Sequence, residues 1–196
     1  DFYGTTFSTN YKEEKLNLVI GGAISAGSNI RIAGQSESNF TSTDAILLKL
    51  DSNGNFLWRN IYSSPGAESI RDVALDTTTG QIYTIGTTNA PSGTPAATFG
   101  KLTNFKAQIG TADIFVNKVS DTGTAIWTGS FGSYAQDEAN SIAFGNGKVY
   151  IVGAIGNAIT GSAFSIDSSN SSSWITSANM PYTGVGTLAT LVGYAL

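Results

Sequence analysis

Two aspartates, Asp44 and Asp113, are the residues of this chain best placed for acid/base chemistry, because each begins the same apolar pattern. Two carboxyl groups about 5 to 9 Å apart can hydrolyse a glycosidic bond. Matching residues of adjacent repeats normally lie farther apart. We therefore favour blade-to-blade hydrogen bonding and strand-end charges for these aspartates and for the matching Lys49 and Lys118. We therefore predict no catalytic residue and no enzymatic activity.

The composition excludes several other classes of chemistry. The chain has no cysteine and no histidine, which rules out thiol nucleophiles, Ser-His-Asp triads and zinc sites built from these residues. Its net charge is −4 with only ten Lys and Arg, which argues against nucleic acid as a partner. We predict no cofactor, and a carboxylate-dependent hydrolase is the least favoured of three functional hypotheses.

The segment 51–55, Asp-Ser-Asn-Gly-Asn, resembles the start of a calcium-binding loop. An EF-hand loop requires glycine at its sixth position and glutamate at its twelfth, where this chain has Phe56 and Tyr62. The Asn-Gly pair favours a tight hairpin, and residues 121–123 repeat the turn. We predict a hairpin turn here and no metal site.

Three tryptophans stand at the same place in three copies of one pattern, which begin at Asp44, at Asp113 and, in eroded form, at Ala163. Their spacings are 127 − 58 = 69 and 174 − 127 = 47, and a Pro/Gly/Thr-rich insertion at 89–112 accounts for the difference. A period near 47 is typical of propellers and solenoids. The tryptophans are Trp58, Trp127 and Trp174.

The recurrence of tryptophan has two interpretations. A flat aromatic face can bind a sugar ring or a cation. A binding site needs only one such residue, however, so repetition at one strand position favours packing between sheets.

Each complete unit is predicted to contain four strands, which in the first unit lie near 45–50, 56–62, 69–76 and 81–86. The units span 44–112, with the insertion at 89–112, and 113–162, and partial units cover 1–43 and 163–196. In the first partial unit we expect a third strand at 18–24 and a fourth at 29–34. We predict one all-β domain of repeated four-stranded antiparallel sheets, propeller-like but with too few blades to close alone, because closed propellers use four to eight.

The motif Asp-Ala-Ile-Leu-Leu-Lys-Leu-Asp-x-x-Gly-x-x-x-Trp at 44–58 is followed by Ala-Glu-Ser-Ile-x-Asp-Val-Ala-Leu-Asp at 67–76 and by Gly-x-Ile-Tyr-x-Ile-Gly-Thr-Thr at 80–88. This series resembles the SBBP repeat, a β-propeller repeat common in bacterial and archaeal surface and secreted proteins. The resemblance covers 44–88 and 113–154. It implies β-sheet blades and an extracellular setting, and it implies no activity.

Several features favour a location outside the cell. Asn39 and Asn170 begin N-glycosylation sequons in polar stretches, so we expect surface glycans there. The chain begins at Asp1, for which we expect a cleaved secretory leader. The apolar stretch 185–196 is too short and too rich in glycine and threonine to span a bilayer.

The C-terminal segment 181–196 lacks the repeat pattern. Its residues Leu188, Thr190 and Val192 alternate as in a strand, which we expect to complete a sheet with strands near the N-terminus, in the same subunit or in a neighbour. Our leading hypothesis is a secreted, non-enzymatic structural or surface protein that self-assembles through sheet edges or terminal strands into a homo-oligomer or filament. The alternative is a carbohydrate- or surface-binding adhesin module.

Overall fold

Thirteen β-strands make up the part of the chain that the structure describes. The computed structural model describes residues 2–10, 15–32, 35–37, 40, 42–89, 112–131, 136–156 and 188–195. The strands are β1 (Phe2–Asn10), β2 (Lys15–Ile24), β3 (Ile30–Ile32), β4 (Gln35–Glu37), β5 (Asp44–Leu50), β6 (Phe56–Tyr62), β7 (Glu68–Asp76), β8 (Gln81–Thr88), β9 (Asp113–Val119), β10 (Ala125–Phe131), β11 (Glu138–Gly145), β12 (Lys148–Gly156) and β13 (Leu188–Ala195).

Three antiparallel sheets contain eleven of these strands. Sheet 1 has the order β1-β2-β5-β6, sheet 2 the order β7-β8-β9-β10 and sheet 3 the order β11-β12-β13, while β3 and β4 form a separate hairpin. Each sheet is a meander of strands in chain order, and none closes into a barrel. The prediction of an all-β fold with open, propeller-like sheets is confirmed.

The sheets do not coincide with the sequence units. One predicted unit contains β5 to β8, whereas β5 and β6 belong to sheet 1 and β7 and β8 belong to sheet 2. The short connection 63–67 therefore crosses from one sheet to the next. As a result, each complete unit links two neighbouring sheets.

The N-terminal strands differ from their predicted assignment. The predicted third strand at 18–24 lies in β2, which pairs with β5 as β8 pairs with β9, so β2 is the fourth strand of its unit. The third-strand position belongs to β1, which was not predicted. The segment 29–34, predicted as the fourth strand, contributes β3 to the separate hairpin. The run 18–24 offers the larger apolar surface, which explains its place in the sheet.

Irregularities of the sheets also repeat along the chain. Leu57 and Ile126 each interrupt the register at an edge strand, and they are 126 − 57 = 69 residues apart. Arg71 and Asn140 interrupt β7 and β11, the first strands of sheets 2 and 3, at the same spacing, 140 − 71 = 69. A bulge turns its residue out of the regular alternation, which accounts for the exposure of Leu57 and Ile126 without a binding role.

Two apolar layers separate the three sheets. Buried side chains between sheets 1 and 2 include Val19, Leu47, Tyr62, Ile70, Val73, Ile82, Phe115 and Val119. Those between sheets 2 and 3 include Ala74, Tyr83, Ile85, Ile114, Val116, Ala139, Ile142, Val149 and Ile151. Sheet 2 is thus buried on both faces, which explains the nearly continuous apolar runs of its central strands.

In each of the three sheets, one connection between two neighbouring strands is long, and it occupies the same place in the strand order. The strands β2 and β5 are joined by 25–43, β8 and β9 by 89–112, and β12 and β13 by 157–187. Each connection returns to the point where it began, because Ile24 pairs with Asp44, Thr88 with Asp113 and Gly156 with Leu188. The predicted insertion at 89–112 is therefore one of three long connections between paired strands.

Deletion of Ser92 to Gly110 is expected to leave the fold intact. The remaining residues, 89–91 and 111–112, form a loop of hairpin length between Thr88 and Asp113. Asn89 is kept because its backbone N–H donates to Ala67 O at 3.0 Å. Loops change length at small entropic cost, so circular dichroism should show the same spectrum and one cooperative melt. Loss of cooperative unfolding would show that the deleted segment belongs to the core.

The C-terminal strand β13 pairs with β12 of its own chain, so the predicted pairing within one chain with N-terminal strands is wrong. Leu188, Thr190 and Val192 lie opposite Gly156, Ala154 and Val152. In sheet 3, β13 takes the place that β5 and β9 have in the other two sheets. It thereby satisfies an edge of β12 that would otherwise lack backbone partners. A role of this strand in assembly stays a prediction.

Candidate functional site

Four carboxyl groups form an acid row at one end of the sheets. Asp44, Glu68 and Asp113 are the first residues of β5, β7 and β9, and Asp137 immediately precedes β11. All four side chains are buried. Glu68 and Asp113 both lie opposite Thr88, which places them at the same end of sheet 2.

The acid row repeats with the sequence. Glu68 follows Asp44 by 68 − 44 = 24 residues, and Asp137 follows Asp113 by 137 − 113 = 24. The backbone contacts repeat as well, because Glu68 N donates to Thr43 O at 2.7 Å and Asp137 N donates to Ala112 O at 2.9 Å. The sequence analysis missed Glu68 and Asp137, and this equal separation is the signal that would have found them.

Glu68 is the most tightly held member of the row. Its carboxyl oxygens accept hydrogen bonds from Ser64 N at 3.0 Å, from the Ser64 hydroxyl and from Thr88 Oγ1 at 3.1 Å. The pKa of Glu68 is raised to about 7, mainly by burial; hydrogen bonds from Ser64 and Thr88 oppose this rise, and the charge of Asp44 contributes to it. Glu68 thus anchors the connection 63–67 between sheets 1 and 2.

Asp44 is also buried, and it is close enough to Glu68 for its charge to act on the Glu68 carboxyl group. Burial raises the pKa of Asp44, while hydrogen bonds from Ser63 and Ser42 lower it. The Ser42 hydroxyl is 3.1 Å from Asp44 Oδ1 and 2.7 Å from Ser64 O. Asp44 is thus hydrogen-bonded at the start of its strand by nearby serines, and a blade-to-blade hydrogen bond of Asp44 stays a prediction.

The Asp44 and Glu68 pair meets one requirement for acid/base catalysis. Two interacting carboxyl groups, one with a pKa near 7, are suited to proton transfer at neutral pH. A substrate must also reach them, yet Glu68 is only 1% exposed and its oxygens already accept three hydrogen bonds. The geometry favours a structural joint over a reaction centre.

Glu68→Gln is expected to remove a pH-dependent loss of stability. The pKa of Glu68 rises from 4.5 to about 7 on folding, so its contribution is complete below pH 4.5 and is lost as the pH rises through about 7. This pKa difference corresponds to about 3 kcal/mol. A glutamine oxygen can accept from Ser64 N, and its amide can donate to the Ser64 and Thr88 hydroxyls.

Denaturant unfolding from about pH 4.5 to 8 measures this effect. The variant should be more stable than the wild type at the upper end of that range, and its stability should vary less with pH. Glu138→Gln, at an exposed position, is the control and should keep the wild-type pH dependence. A Glu68→Gln profile that is parallel to the wild type would contradict the raised pKa.

A second set of polar contacts joins sheet 1 to the β9–β10 hairpin of sheet 2. Lys49 forms a salt bridge with the Asp121 carboxylate. Trp58 Nε1 donates to Asp121 O at 2.8 Å, and Asn60 Nδ2 donates to Gly123 O at 2.8 Å. We call these five residues the hairpin joint. The interpretation of Lys49 as a contact between repeats is confirmed.

Trp58 is half-buried in this joint. Its indole ring lies so close to Gly123 that an added Cβ there would stand 2.7 Å from Trp58 Cδ2. Trp58 therefore packs between two sheets, as its recurrence indicates. Trp127 holds the same place on β10, opposite Lys118 as Trp58 is opposite Lys49. The Trp127 side chain and the whole of Trp174 lie outside the described residues.

The matching hairpin of sheet 1 has the same turn. Asp51 N donates to Asn55 O at 2.9 Å and Gly54 N donates to Asp51 O at 3.0 Å, which confirms the predicted hairpin. The Asp51 carboxylate accepts from Asn53 N and Asn55 N within the turn itself. A Cβ added at Gly54 would meet nothing within 4 Å.

Sheets 2 and 3 are joined by other side chains. Asp72 Oδ2 accepts from Ser141 Oγ at 2.6 Å and from Ile142 N at 2.9 Å. The rings of Tyr83 and Phe144 stack with their centroids 5.2 Å apart. Polar and aromatic groups thus fasten both interfaces between sheets.

Two other predicted features fall outside the described residues, namely the sequons at Asn39 and Asn170. Within the described part, no group of three or more Asp or Glu side chains is arranged to hold a metal ion. The same residues include no helix long and apolar enough to cross a membrane.

Comparison with known proteins found no matching family model and no matching curated protein. The resemblance to the SBBP repeat therefore stays a prediction.

Proposed function

We propose that this chain is a non-enzymatic structural protein that acts outside the cell and assembles with copies of itself. One observation carries the proposal: among the described residues, sheet 2 packs between two large sheets, whereas sheets 1 and 3 each pack against only one of them. The other face of sheet 1 is covered near Ile24 and Ile46 by a cluster that includes Ile30 and Phe40. An apolar sheet face is stable only when another layer covers it. A neighbouring subunit supplies that layer.

The polar groups of the chain support a structural role. Lys49, Trp58, Glu68 and Asp72 each fasten one sheet, or the connection between sheets, to its neighbour. The location outside the cell rests on the sequence, through the resemblance to a repeat of surface proteins and the sequons at Asn39 and Asn170.

Immunogold labelling of the source cells and negative-stain microscopy of extracted material test this function together. We expect the label at the cell surface or in the medium, on assemblies larger than one chain. Intact mass before and after deglycosylation reports whether the sequons carry glycans. Label confined to the cell interior, on single chains, would contradict the proposal.

A carbohydrate-binding adhesin is the second candidate. The turn at Asp121 to Gly123 covers Trp58, but Tyr150 on sheet 3 is exposed and has a ring suited to stack on a sugar. Binding to a glycan array that is lost in Tyr150→Ala would favour this candidate. Absence of any glycan binding by the wild type would reject it.

A further inference from the structure

Each sheet has two faces with different roles in the stack. In sheet 2, Tyr83 and Ile85 of β8 pack toward sheet 3, whereas Ile82 of β8 and Phe115 of β9 pack toward sheet 1. We call the face toward the next sheet in chain order the forward face, and the opposite face the backward face.

The forward face of sheet 3 is exposed where its counterpart in sheet 2 is buried. By register, Tyr150 corresponds to Tyr83 and Val152 corresponds to Ile85. Tyr83 is 5% exposed and Ile85 is 0% exposed, whereas Tyr150 is 41% exposed and Val152 is 36% exposed. Sheet 3 therefore presents the side chains with which sheet 2 binds the next sheet.

The backward face of sheet 1 shows the complementary pattern. At four positions its apolar side chains remain partly exposed, while the corresponding side chains of sheet 2 are fully buried against sheet 1. The corresponding pairs are Leu18 and Ile82, Ile20 and Thr84, Leu48 and Asn117, and Leu50 and Val119. Among the described residues, a cluster that includes Ile30 and Phe40 covers this face near Ile24 and Ile46.

We infer that the forward face of sheet 3 in one copy packs on the backward face of sheet 1 in a second copy. The contact would continue between subunits the interface that already joins sheets within one subunit. This inference rests on the proposed self-assembly and names the faces that produce it.

The contact is heterologous, because the two partners use different surfaces. Such a contact closes into a ring if the rotation allows and otherwise continues as a filament. A ring of two copies would contain six of these sheets. Six is within the range of four to eight blades that closed propellers use.

Tyr150→Lys tests the forward face. A lysine there places a charge in the proposed interface, so light scattering should show a shift from assemblies to the single chain. At a dilution at which the wild type is also a single chain, the two proteins should have the same melting temperature. Leu57→Lys is the matched control, because Leu57 is equally exposed but lies at an edge bulge. Assemblies that survive Tyr150→Lys would overturn the inference. A lower melting temperature of the variant at that dilution would also overturn it, because it would show that the same chain covers Tyr150.

A disulfide between copies tests the pairing of the two faces. Inside the chain, a Cβ added at Gly21 on sheet 1 would stand 2.9 Å from Val73 Cγ1 on sheet 2. By register, Gly21 corresponds to Val152 and Val73 corresponds to Thr5 of β1. A cysteine at 152 in one copy should therefore lie within disulfide distance of a cysteine at 5 in the next copy.

The chain has no cysteine of its own, so Thr5→Cys and Val152→Cys can be made as single-thiol variants. After oxidation, a mixture of the two should give a covalent dimer on a non-reducing gel, and neither variant alone should do so. Dimers within one variant would indicate a symmetric contact and overturn the inference. Assemblies without the mixed disulfide would overturn these faces while self-assembly stands, and a wild type that is only a single chain would overturn both.

Discussion

Phe115→Ala is expected to lower the free energy of unfolding by about 3 to 5 kcal/mol, as for other buried aromatic residues. Phe115 is fully buried on β9, and its ring lies 6.3 Å from the ring of Tyr62 in sheet 1, measured between centroids. The ring also fills the space above Gly86, where no Cβ fits. Its removal leaves a cavity between sheets 1 and 2, which denaturant unfolding measures.

Ile126→Ala is the control for this cavity. Ile126 is an exposed bulge residue, so its truncation should change stability by less than about 0.5 kcal/mol. Similar losses in the two variants would show that the layer between sheets 1 and 2 is not the core of the fold.

Trp58→Ala is expected to cost about 3 kcal/mol, the lower end of the range for core aromatics, because Trp58 is only half-buried. The change removes the apolar contact with the layer between sheets 1 and 2 and the hydrogen bond to Asp121 O. Trp58→Phe retains much of the ring and loses the N–H, so it should cost about 1 kcal/mol from the hydrogen bond. Thermal and denaturant melts of the three proteins give the comparison.

Two glycines provide a matched test of the same joint from its other side. Gly54 and Gly123 have φ of 80° and 81° in equivalent turns. An alanine at either position would have to adopt the left-handed backbone conformation, which destabilises the protein by about 1 to 2 kcal/mol. Only Gly123→Ala also forces a Cβ against Trp58. Gly123→Ala should therefore be the more destabilising variant, and equal losses would contradict the packing of Trp58 on this turn.

Local sequence patterns were sufficient to predict most of the strands of the two complete units. The apolar run predicted at 45–50 is β5 at Asp44–Leu50, and the Asn-Gly pair of Asn53 and Gly54 forms the predicted turn. These features depend on residues adjacent in sequence, through side-chain alternation and the positive φ that glycine accepts.

The grouping of strands into sheets could not be predicted in this way. The connection 63–67 between sheets is as short as a hairpin loop, so its length does not reveal that the chain changes sheet. Glu68 fixes this crossing through Ser64 and Thr88, one of them twenty residues away, and such contacts exist only after the sheets have packed. The sequence around Glu68 therefore gave no indication of its role, apart from the separation of 24 residues from Asp44 that recurs between Asp113 and Asp137.

The C-terminal pairing was missed for a related reason. The alternation of Leu188 to Val192 indicates a strand but does not identify its partner, because any unpaired edge satisfies the same backbone groups. The choice of β12 follows from the vacant place that sheet 3 offers beside it, and that place appears only when the three sheets are compared.

Self-assembly is tested most directly by the mass of the purified chain in solution, measured by multi-angle light scattering over a range of concentrations. A chain of 20.4 kDa that stacks on its own copies should give masses that are multiples of this value and that increase with concentration until a ring closes or filaments form. A single species of 20.4 kDa at every concentration would contradict the proposal.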